Sequence, residues 1–179
     1  MKIIISVIFL SLLLIVMSCN QISDAYYNCS SKDLEYETIS ITLINDSNSI
    51  PINLYHAKSD LERKKGLMCV RDFKNIDGML FSYQKEQSSG FWMYKTFIPL
   101  TIIYFDSNNL SIDFFEMNPC KRDLFENVTN YKQKCYEESK KYTPPTKYLD
   151  SLEIIETFEK LEEIKTILED DKLKLMINN

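Results

Sequence analysis

Gly90-Phe91-Trp92-Met93-Tyr94-Lys95-Thr96-Phe97-Ile98-Pro99-Leu100, running on into Thr101-Ile102-Ile103-Tyr104-Phe105-Asp106, is the stretch whose reading decides the fold. It holds the only tryptophan, one of three glycines and the most apolar run outside the N-terminus. Aromatic and β-branched residues suit a pleated, half-buried surface. The stretch therefore predicts two strands, Phe91 to Thr96 and Leu100 to Asp106, broken at Ile98-Pro99. Asp106-Ser107-Asn108-Asn109 then reads as a turn into a strand from Leu110 to Met117.

Upstream, Ile39, Ile41 and Leu43 alternate with polar residues, as do Ile50, Ile52 and Leu54, with Asn45 to Ser49 between them. That is the pattern of a hairpin. Ser59-Asp60-Leu61-Glu62 is a capping-box signature, predicting a short helix to about Lys65 that Gly66 ends. Asp77-Gly78 is a turn before a strand that starts at Met79-Leu80-Phe81. Downstream, Asn118 to Pro145 is long, polar and irregular, and a loop of that length is expected to be functional or stapled. Tyr148, Leu152, Ile154 and Ile155 predict another strand. Phe158, Leu161, Ile164 and Ile167 or Leu168 recur at helical spacing. Leu173, Leu175 and Ile177 alternate and should close the sheet. The expected fold is α+β: one compact β-rich domain over 37–179, with a mostly antiparallel or mixed, barrel-like sheet and two short helices.

The N-terminus supplies an address. Lys2 precedes an apolar run from Ile3 to Met17, shorter than the roughly 20 residues a spanning helix needs and shaped like a secretory signal. It ends Val16-Met17-Ser18-Cys19, which resembles a bacterial lipobox. The expected order is a signal peptide over 1–18, an acylated Cys19 and polar tether over 19–36, and then the domain. Two or more acyl chains anchor stably where one is marginal. The expected location is therefore the cell envelope, on a bacterial membrane and facing the periplasm or the surface.

The net charge of −5 argues against a nucleic-acid partner, which wants a basic face. Setting Cys19 aside leaves Cys29, Cys69, Cys120 and Cys135, which allow three pairings. Cys120 and Cys135 bracket the long loop, and closing about 15 residues is worth around 3 kcal/mol in the chain-entropy model. Cys120–Cys135 is the expected disulfide, and whether Cys29 and Cys69 pair stays open. No close cysteine pair accompanies the lone His56, so neither a zinc site nor another cofactor is expected. His56 also lacks a visible nucleophile and orienting carboxylate, and reads as a hydrogen-bonded strand residue.

Lys65-Gly66-Leu67-Met68, Asp77-Gly78-Met79-Leu80-Phe81 and Phe91-Trp92-Met93 with Thr96, Ile98, Pro99 and Leu100 resemble, in that order, the family called domain of unknown function 192. The likeness extends over about residues 50 to 177, with Pro119-Cys120, Cys135 and Tyr142 similar to its loop. It implies a β-rich α+β domain, often secreted or lipid-anchored, and no particular reaction. The chain departs from the family pattern at Tyr94-Lys95, where Lys-Asn is usual, at Thr101 in place of Asp, and at Cys69 in place of Gly.

Trp92, Lys95, Thr96 and Glu116 are the candidate ligand-binding residues, with Trp92 as an apolar wall. The expected role is a membrane-anchored binding or interaction module with a small-molecule or envelope-protein partner. The alternative is an envelope enzyme with a site around Trp92–Thr101 and the Cys120–Cys135 loop, although no catalytic constellation is visible.

Overall fold

The computed structural model describes Tyr27, Cys29 and residues 35–178. The expected leader, Cys19 and most of the tether lie outside the described residues. Seven strands form one sheet: β1 (Glu37–Ile44), β2 (Ser49–Ala57), β3 (Gly78–Gln87), β4 (Leu100–Phe105), β5 (Ser111–Met117), β6 (Tyr148–Ile155) and β7 (Lys174–Ile177). The strand order is β5-β4-β6-β3-β2-β1-β7. Within residues 35–178 three α-helices accompany it, α1 (Asp60–Lys65), α2 (Val128–Ser139) and α3 (Leu161–Asp170), where two were expected.

β1 and β2 form the expected hairpin, pairing Ile41 with Ile52 and Leu43 with Ile50. Asn45 Oδ1 accepts from the Ser47 and Asn48 amides and fixes the turn. Ser59 and Glu62 make the capping box, Glu62 accepting from the Ser59 amide at 2.7 Å. Gly66 takes φ 48 where α1 stops, a left-handed value that glycine adopts without a Cβ penalty. α1 carries the chain over to β3, which lies parallel to β2, while the remaining ladders are antiparallel.

Strand alternation gives the sheet two differently furnished faces. On one, Leu80, Leu152 and Ile103 sit side by side and join Ile41, Leu43, Ile50, Ile52, Leu54 and Ile154. Leu161 and Ile164 of α3 complete that aliphatic core. On the other, Met79, Glu153 and Ile102 are neighbours across three strands, and so are Phe81, Ser151 and Tyr104.

The barrel was not confirmed. The sheet is open, and its edges meet at one bridge, Leu110 with Lys174, flanked by Ser111 N–H donating to Leu173 O at 2.8 Å. Two local expectations also change. Phe91 to Thr96 is not a strand: Lys95 takes φ 57, and Thr96 N–H donates to Met93 O to close a turn. The Lys95 amide donates to Tyr131 Oη at 3.1 Å, and its carbonyl accepts from Cys69 N–H at 2.8 Å. Its polar backbone is thus committed to α2 and to the 67–70 turns instead of a ladder. The long loop, for its part, contains α2. Asn127 caps it by accepting from the Asn130 amide, and Tyr131, Cys135 and Ser139, at i, i+4 spacing, form its buried stripe.

Cys120 and Cys135 are joined as expected, with Cα atoms 5.6 Å apart. Cys29 and Cys69 are each in the disulfide-bonded state too. Disulfides persist in oxidising compartments, which is compatible with export. No helix among the described residues is long and apolar enough to cross a membrane.

Candidate functional site

The loop from Gly90 to Pro99 lies against the second face of the sheet. Phe91 packs its ring 4.8 Å from Phe81 and 6.0 Å from Tyr104, centroid to centroid. Gly90 sits so close to the end of α2 that a Cβ there would stand 2.4 Å from the Ser139 carbonyl oxygen. This close approach presses the loop between sheet and helix. Trp92 and Thr96 consequently face the end of α1, and with Phe81, Phe91 and Glu153 they line a cavity of about 40 Å³.

Glu153 is the unexpected member. It stands on β6 opposite Met79 and Ile102, is 4 % exposed, and its carboxyl makes no hydrogen bond to any described residue. Burial alone pushes that carboxyl up from 4.5 to about 8, because the charged form loses its hydration and no cation stands close enough to replace it. The shift favours the acid form, an O–H donor, at neutral pH. Two residues along the same face, Ser151 Oγ is the one buried side-chain oxygen without a partner among the described residues. An unsatisfied buried polar group costs about 1–3 kcal/mol. A desolvated carboxyl and an unpaired hydroxyl on one strand face run against stability, as groups at functional sites commonly do.

The mouth of the cavity is basic. Arg63, Lys64 and Lys65 all border it. Arg63 is held by the Ser82 carbonyl at 2.8 Å and lies 4.8 Å over the Tyr83 ring, whereas Lys64 and Lys65 make no ion pair among the described residues. Lys95 flanks this ground without lining the cavity. Its ammonium is pushed down by burial first, then by the nearby Lys65 and Arg122. Lys132 lies 5.9 Å over the Trp92 ring, and Arg71 lies 4.3 Å over Phe97. On a chain of net charge −5, positive charge is gathered around this one loop.

Of the four candidate binding residues, then, Trp92 and Thr96 share the cavity and Lys95 stands beside it. Glu116 lies elsewhere. It is exposed on β5 and pairs with Lys165 Nζ at 2.6 Å, and Lys165 also meets Glu162 at 3.0 Å and Glu156 at 3.6 Å. His56 Nε2 lies 3.0 Å from Ser82 Oγ and does not border the cavity. Among the described residues no group of His, Cys, Asp and Glu is placed to hold a metal ion. The residue that sequence reasoning missed is Glu153, whose one signal is a lone carboxylate inside the apolar run Leu152-Glu153-Ile154-Ile155.

Comparison with known proteins supplies kinship. The model of the family DUF192, described as Uncharacterized ACR, matches residues 41–142. Glu153 lies outside that matched stretch. The fold is similar to a protein from Sinorhizobium meliloti 1021 put forward as a transcription regulator, with a TM-score of 0.59 and 16% identity over 81% of this chain and 97% of that one. It is also similar to a protein of unknown function from Novosphingobium aromaticivorans DSM 12444, with a TM-score of 0.55 and 18% identity over 83% and 94% of the two chains. At these identities the likeness concerns the fold alone. No functionally curated protein matches the chain.

Proposed function

The chain belongs to the DUF192 family, and from that premise we propose that it is an exported, lipid-anchored binding module of a bacterial envelope. Its cavity at Trp92, Thr96 and Glu153 takes a small ligand. The observation that carries this reading is Glu153, a buried carboxyl with no hydrogen-bond partner among the described residues, bordering a cavity under a basic mouth. The lipobox ending at Cys19 and the oxidised cysteines support the address.

Native mass spectrometry of the full-length chain, exported and released in detergent micelles, tests the binding reading. The expected result is extra mass that leaves on denaturation and is absent from Glu153→Leu. A bare wild-type chain would sink it. The address has its own test: Cys19→Ala should abolish acyl labelling, and labelling that persists would remove the anchor from the proposal.

The second reading, an envelope enzyme with a site around Trp92–Thr101 and the Cys120–Cys135 loop, draws on the same residue. A carboxyl that keeps its proton near neutral pH is suited to general-acid catalysis. Chemical change in the retained molecule that stops in Glu153→Gln, with retention intact, would favour it.

A further inference from the structure

We infer that the group seated in this cavity is the carboxylate of a small molecule, held inside by the side chains of Glu153 and Thr96 and at the mouth by the cations of α1. The inference rests on the binding reading above and deepens it.

Size comes first. A water-sized occupant needs roughly 10–15 Å³ on the same measure, so about 40 Å³ holds about three non-hydrogen atoms. That is room for a carboxylate group, and too little for a sugar or an aromatic ring. Lining chemistry comes second. Phe81, Phe91 and Trp92 are apolar walls or edges, and the side-chain hydroxyls on offer inside are those of Glu153, as the acid, and Thr96. Both donate, and a carboxylate accepts.

Charge comes third. An anion arrives past Arg63, Lys64 and Lys65, two of which have no acidic partner among the described residues. An ammonium ligand would have to cross the same basic ground and would be repelled there by Arg63, Lys64 and Lys65, which attract a carboxylate.

The pairing has a pH signature. The charged and titratable groups around Glu153 are Arg63, Lys64 and Lys65 from α1, which border the same cavity, and Tyr83 from β3 and Tyr104 from β4, which feel its charge. The 90–97 loop brings only Trp92, Phe91 and Thr96, which do not titrate. Burial pushes both tyrosines up, so they stay neutral; Lys95, pushed down by burial, flanks the cavity without lining it, and among the lining groups the one raised toward this range is Glu153. Once ionised, Glu153 no longer donates and repels the ligand. With its transition at about 8, the apparent Kd should rise about tenfold between pH 7 and pH 9.

Trp92 is the only tryptophan and lines the cavity, so its emission reports occupancy. The full-length chain, exported and extracted in detergent, is titrated with sodium formate or acetate at constant ionic strength, with methylammonium chloride as the cationic probe. Formate and acetate should saturate in the ~1 mM range at pH 7, as befits ligands of three or four atoms, and about tenfold higher at pH 9. Glu153→Gln keeps a neutral donor of the same shape, so it should bind formate while losing the pH dependence. Lys65→Gln, a change at the surface, should weaken formate several-fold at both pH values. An unchanged pH dependence in Glu153→Gln overturns the role given to the acid form, and unchanged affinity in Lys65→Gln overturns the basic mouth. If methylammonium saturates and formate does not, the ligand class is wrong and the binding reading stands. If no probe acts, both fall.

Discussion

Replacing Glu153 by glutamine is expected to remove a loss of stability with pH that the wild-type domain carries. The folded state raises this carboxyl from 4.5 to about 8, so it keeps its proton over a range in which the unfolded chain has given it up. A raised value means that the contribution is whole below about pH 4.5, declines as pH climbs toward 8, and is flat beyond. At about 1.4 kcal/mol per pH unit the decline amounts to roughly 5 kcal/mol across the window, of which about 3 has gone by pH 7. Glutamine has no proton to hold. Any cost of burying its amide is independent of pH and cancels when wild type and variant are compared across the window. Urea denaturation of both at several values between pH 4.5 and 8.5 gives the test. The gap between the two curves should widen by about 5 kcal/mol in favour of the variant, or by about 10–20 °C in melting temperature for a domain of this size. Curves that run parallel would show that Glu153 ionises freely in the folded protein, and the cavity argument would lose its foundation.

Four further outcomes are expected. Gly90→Ala should lower the urea midpoint by the equivalent of about 1–3 kcal/mol, because the new methyl meets backbone at Ser139 and the Thr143 hydroxyl; an unchanged midpoint would mean that the loop can lift off α2 freely. Tyr131→Phe removes the hydroxyl that donates to Cys120 O at 2.9 Å and accepts from Lys95 N–H, and should cost about 2–3 kcal/mol by calorimetry. Replacing Cys120 and Cys135 together by serine should cost about 3 kcal/mol and make the 120–135 segment the first site of limited proteolysis. Alkylation of the exported chain without reductant should label none of Cys29, Cys69, Cys120 and Cys135; label on any of them, located by peptide mapping, would contradict its oxidised state.

What could be read from sequence was what local spacing determines. The β1–β2 hairpin and the α1 capping box rest on residues within a few positions of each other, and both stand as expected. α2 was missed because its buried stripe is one tyrosine, one cysteine and one serine, too little apolar surface to show a helical period. Its place is secured by the disulfide and the Tyr131 hydroxyl, both tertiary. Phe91 to Thr96 misled in the opposite way. Its apolar content looked like a strand, but the rings are committed to the aromatic side of the sheet, and Lys95 turns the backbone left-handed. Trp92 and Thr96 were within reach of sequence reasoning because they sit in one short segment. Glu153 was not, since only the register of β6 against β3 and β4 turns a lone acid into the floor of a cavity.

The pairing of β1 with β7 bears on how the domain comes into being. Thr42 and Asn178, whose side chains hydrogen-bond at this seam, are 136 positions apart. β1 can zip onto β2 as soon as both have emerged, but its other flank has no occupant until almost the whole body is available. Such distant partners make for slow assembly, and an unaccompanied strand edge is a template for the wrong neighbour. On the export route proposed above, that interval is when a holding chaperone would matter most. Its natural grip is the bare flank of β1, and the arrival of β7 would end the need for it.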